Sequence, residues 1–170
     1  MCGAKNYDLA NLCMISRFGP REHSTRRRQD GAWILHEGIS CVPQIPVISI
    51  IDDDPSVRAA THRLVRSVGF TARTFASAAD FLQSPHVNDT ACVIADVQMP
   101  VMSGVELLTL LRAQGHGMPF IFITAFPEES VRTRALKAGA ICFLAKPFDG
   151  PTLISCLDTA LAGQDGGIRK

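Results

Sequence analysis

Across residues 47–161, short runs of apolar residues alternate with longer segments in which apolar positions recur every three or four residues. The short runs are typical of buried β-strands, and the longer period is typical of amphipathic helices. The predicted strands cover residues 47–51, 71–75, 91–95, 120–123 and 141–145. Because strands and helices alternate along the chain, the pattern predicts an α/β fold with a parallel sheet.

Five helices are predicted from their start and stop signals at about residues 55–68, 77–82, 103–111, 127–138 and 151–161. Asp54 is placed to cap the first helix, with Pro55 at its first position. Ser103 and Glu106 match a capping box at the start of the third helix. The buried stripe of the first helix is expected to comprise Val57, Ala60, Leu64 and Val68, and that of the fifth Leu153, Ile154, Leu157 and Leu161.

Composition indicates how the chain is organised. The 170 residues carry 17 Lys and Arg against 16 Asp and Glu, so net charge gives no reason to expect a nucleic-acid or acidic-lipid partner. Residues 1–44 lack a sustained hydrophobic period. We therefore expect a poorly ordered N-terminal extension over 1–44, one globular domain over 45–163 and a flexible tail over 164–170. The basic run at 26–28 is interpreted as a solvated charge cluster.

The sequence contains neither an apolar run of the about 18 residues that a spanning helix needs nor a signal-peptide pattern at its start. We expect a cytoplasmic protein without membrane association. The six cysteines lack CxxC pairs and Cys/His ligand spacings, and they are interpreted as small buried hydrophobes rather than disulfide or zinc ligands.

Polar side chains follow four of the predicted strands. Asp52 and Asp53 follow the first, Asp96 the third, Thr124 the fourth and Lys146 the fifth. These side chains should converge, because the carboxyl ends of parallel strands share one edge and ligands bind in the crevice there. Three converging carboxylates repel one another, and a cation with oxygen ligands such as Mg²⁺ resolves the conflict. The lysine and the hydroxyl would stabilise a phosphoryl group on one of these carboxylates.

Four segments resemble the signatures of response regulator receiver domains of two-component signalling. They read IIDDDPSVR at 50–58, DVQMPVMSG at 96–104, ITA at 123–125 and KPF at 146–148. The residues of these segments are most similar to those of receivers of the nitrogen-fixation regulator type. Such receivers normally continue into a helix-turn-helix output domain. The resemblance covers about residues 47–161 and implies a flavodoxin-like, doubly wound (βα)5 three-layer sandwich around a five-stranded parallel sheet.

The resemblance also implies site roles. Asp96 would be the phosphoacceptor, supplied by a sensor histidine kinase, a phosphotransfer protein or a small donor such as acetyl phosphate. Mg²⁺ would be bound directly by Asp53 and Asp96 and by the backbone carbonyl of Gln98, with Asp52 acting through water.

Three further positions receive roles from the same resemblance. Thr124 would hydrogen-bond a phosphoryl oxygen and Lys146 would pair with it, with a cis peptide bond from Lys146 to Pro147. Phe143 would turn inward as Thr124 moves toward the phosphate, which makes these two residues the switch. The bulky Phe126 would slow autodephosphorylation.

The expected function is a single-domain response regulator that accepts a phosphoryl group and is not a turnover enzyme. Its output would lie in another molecule, a downstream protein whose binding changes on phosphorylation. The face formed by the fourth helix, fifth strand and fifth helix would carry partners, including a phosphorylation-dependent homodimer. Direct DNA binding is not expected, because residues 1–44 show no helix-turn-helix pattern.

Two alternatives remain at the sequence level. A haloacid-dehalogenase-type phosphatase begins with DxDx[TV] after a strand, which residues 52–56 approach, but Ser56 replaces Thr or Val and no acidic pair ends a strand after Lys146. The second alternative is a receiver-like module that binds its partner without phosphorylation. The presence of all five site positions argues against it.

Overall fold

The computed structural model describes residues 44–163, and the extension predicted for 1–44 and the tail predicted for 164–170 lie outside this part, apart from residue 44. The strands are β1 (Val47–Ile51), β2 (Thr71–Phe75), β3 (Cys92–Asp96), β4 (Phe120–Thr124) and β5 (Cys142–Ala145). The helices are α1 (Pro55–Ser67), α2 (Ala78–Gln83), α3 (Gly104–Ala113), α4 (Glu129–Lys137) and α5 (Gly150–Ala162).

All strand pairs are parallel, and the sheet order is β2-β1-β3-β4-β5. One apolar cluster unites α1 and α5 with one face of the sheet, and a second unites α2, α3 and α4 with the other face. The predicted doubly wound (βα)5 sandwich is therefore confirmed. The central strands β3 and β4 are buried along their whole length, which explains their unbroken apolar sequences.

The predicted stripe of α1 is wrong in part. The residues that α1 buries are Thr61 and Val65, and Ala60 is exposed. The helix is rotated so that this i, i+4 pair faces the sheet, and Leu64 lies at the flank, half-buried against α5 near Gly150.

The predicted stripe of α5 is right for Leu153 and Leu157, whereas Cys156 and Ala160 complete it. Ile154 and Leu161 are only half-buried. Three free thiols belong to the described residues: Cys92 and Cys156 are buried, as expected, and Cys142 is half-buried. Within residues 44–163, no helix is long and apolar enough to span a membrane.

The predicted caps are present. Asp54 accepts hydrogen bonds from the backbone N–H groups of Ser56 and Val57 at the start of α1. Ser103 and Glu106 form the complete capping box of α3, each side chain accepting from the other residue's backbone N–H. These caps fix where the two helices begin, directly after the loops that follow β1 and β3.

Candidate functional site

The candidate site lies where the sheet reverses its strand order. From β1, the chain first places β2 on one side and then β3 on the other, which creates a crevice beyond the carboxyl ends of β1 and β3. Asp52 directly follows β1, and Asp96 is the last residue of β3. The topology therefore brings together two carboxylates that are 44 residues apart in the sequence.

Lys146 joins these carboxylates. Its Nζ donates hydrogen bonds to Asp52 Oδ2 at 2.9 Å and to Asp96 Oδ2 at 2.7 Å. The side chains of Lys146, Asp52 and Asp96 are 16%, 4% and 9% exposed. Because the three groups are largely screened from water, their ion pairs are stronger than those between surface residues.

The second oxygen of each carboxylate accepts from the backbone. Asp54 N–H donates to Asp52 Oδ1 at 2.9 Å, and Gln98 N–H donates to Asp96 Oδ1 at 3.1 Å. Both side chains are thus held at both oxygens, and these contacts fix their orientation in the site.

Asp53 completes the acidic cluster from the solvent side. Its side chain is exposed, and carboxylate oxygens of Asp52, Asp53 and Asp96 all lie within 4.8 Å of one another. Hard oxygen donors with one open side fit Mg²⁺, which retains several waters and is held through one or two carboxylates. The residues present therefore fit the metal that the sequence predicts.

The electrostatics of the cluster reflect burial and pairing. Burial raises the pKa of Asp52 above its usual value, against the opposing effect of the hydrogen bond from Lys146. Burial disfavours the charged form of Lys146, but hydrogen bonds and charge attraction from Asp96 and Asp52 together raise its pKa. The lysine is therefore a permanent cation at neutral pH.

Arg58 is a contributor that the sequence reasoning quoted within a motif but assigned no role. Its Nη1 donates to the backbone oxygen of Asp52 at 2.5 Å from the first turn of α1. The contact ties the helix to the carboxyl end of β1. Its position four residues after the capping Asp54 is the signal that could have identified it.

Thr124 lies at the end of β4 and is fully buried. Its Oγ1 accepts a hydrogen bond from Phe126 N–H at 3.1 Å. The ring of Phe126 is largely exposed, and Phe143 is half-buried against the cluster that contains α2, α3 and α4. The peptide bond between Lys146 and Pro147 is cis, as the resemblance implied.

The loop after β3 is packed tightly against the site. Gly104 N–H donates to Val97 O at 3.0 Å. A Cβ on Gly104 would overlap the backbone oxygen of Asp96 and lie 2.9 Å from Cε1 of Phe122. Glycine is therefore required here by close approach, and α3 begins in direct contact with the backbone of Asp96.

A pocket of about 470 Å³ extends from Asp53 toward α4. Its lining includes the loop residues Val97 and Met99 and, from α4, Val131 and Arg134. Sequence reasoning missed this pocket and its arginine, because a pattern on α4 does not indicate which of its exposed cations faces the site.

Comparison with known proteins agrees with this geometry. Residues 48–158 match the family model described as the response regulator receiver domain. The response regulator protein TodT of Pseudomonas putida is 39% identical over 115 residues, which are 68% of this chain and 51% of TodT. The transcriptional regulatory protein FixJ of Azorhizobium caulinodans is 37% identical over 120 residues, 71% of this chain and 57% of FixJ.

Solved structures show the same likeness. The crystal structure of FixJ-N superimposes with a TM-score of 0.64 at 32% identity, covering 70% of this chain and 95% of that one. The response regulator StyR gives a TM-score of 0.67 at 39% identity, covering 72% of this chain and 62% of that one. The chain spans about half the length of the curated relatives it matches first.

Proposed function

The chain belongs to the response regulator receiver family of two-component signalling, and we propose that Asp96 is the residue on which it accepts a phosphoryl group. Receivers are phosphoacceptors of histidine kinases or phosphotransfer proteins. The observation that supports this assignment is the position of Asp96, at the sheet's switch point with one carboxylate oxygen held by Lys146 at 2.7 Å.

In the proposed reaction, a carboxylate oxygen of Asp96 forms a bond to phosphorus while the bond between phosphorus and the donor breaks, and the donor leaves with the electron pair. Lys146 is already within hydrogen-bond distance of Asp96. It would neutralise charge on the phosphoryl oxygens without first moving in from solvent. The backbone N–H of Gln98 would keep the carboxylate oriented.

Receivers bind Mg²⁺ in an acidic pocket, and we assign its direct ligands to Asp53, Asp96 and the backbone carbonyl of Gln98, with Asp52 acting through water. The bound metal would supply positive charge for the phosphoryl oxygens. The exposure of Asp53 supports the assignment, because its carboxylate is accessible to a hydrated ion.

The proposed switch uses Thr124 and Phe143. The hydroxyl of Thr124 donates to Phe126 O at 3.4 Å, and a phosphoryl group on Asp96 would offer its proton a charged acceptor instead. Movement of Thr124 would make space for Phe143, which is half-buried on the neighbouring strand, two residues before the register partner of Thr124. A few kcal/mol of new hydrogen bonding is enough for such a population shift.

The partners remain proposals. A sensor histidine kinase or phosphotransfer protein would supply the phosphoryl group in the cytoplasm, and a downstream protein would read the switched state at α4, β5 and α5, as would a phosphorylation-dependent homodimer. The exposed side chains of Leu136 on α4 and Ile141 beside β5 support this face as a contact surface.

Incubation with acetyl phosphate and Mg²⁺, followed by intact-mass measurement, tests the proposal. We expect one phosphoryl adduct on the wild type and on Asp158→Asn, a surface control on α5, and none on Asp96→Asn. An equal adduct on all three would contradict the acceptor assignment. Sustained turnover of p-nitrophenyl phosphate would support the phosphatase alternative instead.

A further inference from the structure

The pocket beside Asp53 combines apolar side chains with a cation from α4. Val97, Met99, Val105 and Val131 supply apolar surface, and Arg134 supplies a cation from α4. Asp53, Gln98 and Ser103 add polar groups to the same lining, so the pocket suits a ligand with one apolar and one polar part. About 470 Å³ is within the range of small-molecule sites.

We propose that this pocket is a subsite for the acyl portion of acyl phosphate donors, and that Arg134 is the residue that selects them. The inference rests on the proposed phosphoacceptor function. The apolar acyl chain would lie against Val105 and Val131, and the guanidinium of Arg134 would pair with the departing carboxylate.

The chemistry explains why a cation is useful at this position. When an oxygen of Asp96 bonds to phosphorus, the bond from phosphorus to the acyl oxygen breaks, and the carboxylate leaves with the electron pair and without a proton. Negative charge therefore develops on the leaving group, where a guanidinium stabilises the transition state. Phosphoramidate loses neutral ammonia when its phosphorus–nitrogen bond breaks, so Arg134 has no charge to stabilise.

Arg134 is available for this role. It is exposed on α4, and none of the ion pairs found within residues 44–163 involves it. Hydrogen bonds from Ser103 and, as a smaller effect, the charge of Arg134 lower the pKa of the nearby Glu106. Glu106 Oε2 accepts from the backbone N–H and the hydroxyl of Ser103, at 2.8 and 2.7 Å. Arg132, on the same helix, instead pairs with Glu129 at 3.6 Å and is absent from the pocket lining.

Arg134→Gln and Arg132→Gln form a matched pair, because each removes one positive charge from α4. Rates of phosphorylation of Asp96 are measured by intact mass with acetyl phosphate and with phosphoramidate. We expect Arg134→Gln to lower the ratio of the two rates about fivefold, as for loss of one partly solvated ion contact, and Arg132→Gln to leave it unchanged. Equal changes in both variants would mean general attraction of anions and would overturn the subsite.

A second measurement needs neither metal nor turnover. Sodium butyrate is titrated into the metal-free protein while the methyl NMR signals of Val105 and Val131 are followed, with butylammonium chloride as a probe of equal chain length and opposite charge. We expect saturable shifts with butyrate alone, lost in Arg134→Gln and retained in Arg132→Gln. Shifts that persist in Arg134→Gln, or none at these valines, would overturn the subsite.

The two ideas fail in different ways. If phosphoramidate modifies Asp96 but the ratio of the rates with the two donors is the same in Arg134→Gln as in the wild type, the subsite is wrong. The phosphoacceptor function would still be supported. If neither donor modifies Asp96, the proposed function is wrong. The acyl subsite is then wrong too, because it depends on that function.

Discussion

Lys146 at the end of β5 reaches across the end of β4 to donate a 2.7 Å hydrogen bond to Asp96 at the end of β3. The same ammonium group holds Asp52 at 2.9 Å. One cation thus offsets the repulsion between two buried carboxylates, while the exposed Asp53 remains available to a second cation.

Lys146→Met should increase the affinity for Mg²⁺ and slow phosphorylation. Removing the positive charge that pairs with Asp52 and Asp96 would lower the repulsion that Mg²⁺ meets, by enough for about a tenfold gain in affinity. Isothermal titration calorimetry measures the affinity for Mg²⁺, with Lys137→Met on the exposed side of α4 as a control. A lower affinity in Lys146→Met would mean that the lysine organises the carboxylates more than it repels the ion.

Gly104→Ala should destabilise the protein and impair phosphorylation. The added methyl group meets the backbone of Asp96 and the ring of Phe122, and overpacking against backbone costs about 2 kcal/mol or more. Urea denaturation measures the loss. Gly117→Ala is the matched control, since its Cβ would meet no atom within 4 Å, and it should change stability by less than about 0.5 kcal/mol. Similar losses in both variants would contradict the close approach.

The capping box of α3 should contribute to stability in a pH-dependent way. Hydrogen bonds from the backbone and side chain of Ser103 lower the pKa of Glu106 below its usual 4.5. The ionised form is therefore favoured in the folded state, so its contribution is present above pH 4.5 and disappears as the pH falls through the lowered value. Glu106→Gln should melt below the wild type at pH 7, and this difference should close at lower pH. A constant difference would exclude the carboxylate as its cause.

Cys92 should resist alkylation in the native protein. Burial raises the pKa of its thiol to about 12, so at pH 8 only about one molecule in ten thousand carries the reactive thiolate. Iodoacetamide labelling followed by peptide mass mapping should leave Cys92 unmodified until the protein is unfolded, while the half-buried Cys142 reacts sooner. Labelling of Cys92 at the rate of a free peptide would show that β3 opens readily.

Much of the fold was predictable because its constraints are local. Runs such as the one that forms β4 are buried on both faces and are recognisable in the sequence. The caps at Asp54 and Ser103 were predictable because each is formed within a few residues. The convergence of Asp52, Asp96 and Lys146 followed from one rule, since parallel strands bring their carboxyl ends to a common edge.

What the sequence did not reveal depends on helix rotation and side-chain reach. The inner face of α1 is set by Thr61, whose polarity hides it from a hydrophobic pattern. The contact of Arg58 with the backbone of Asp52 and the place of Arg134 in the pocket depend on how long side chains cross between elements. Neither the positions of the strand ends nor the helical periodicity indicates which element a long side chain will contact.

Trapping of the modified residue tests the central claim most directly. After incubation with phosphoramidate and Mg²⁺, sodium borohydride reduces an aspartyl phosphate to homoserine, and peptide sequencing by mass spectrometry locates it. We expect homoserine at Asp96, dependent on the donor and lost in Asp96→Asn. Homoserine at Asp52 or Asp53, or at no aspartate while the donor is consumed, would contradict the assignment of Asp96 as the phosphoacceptor.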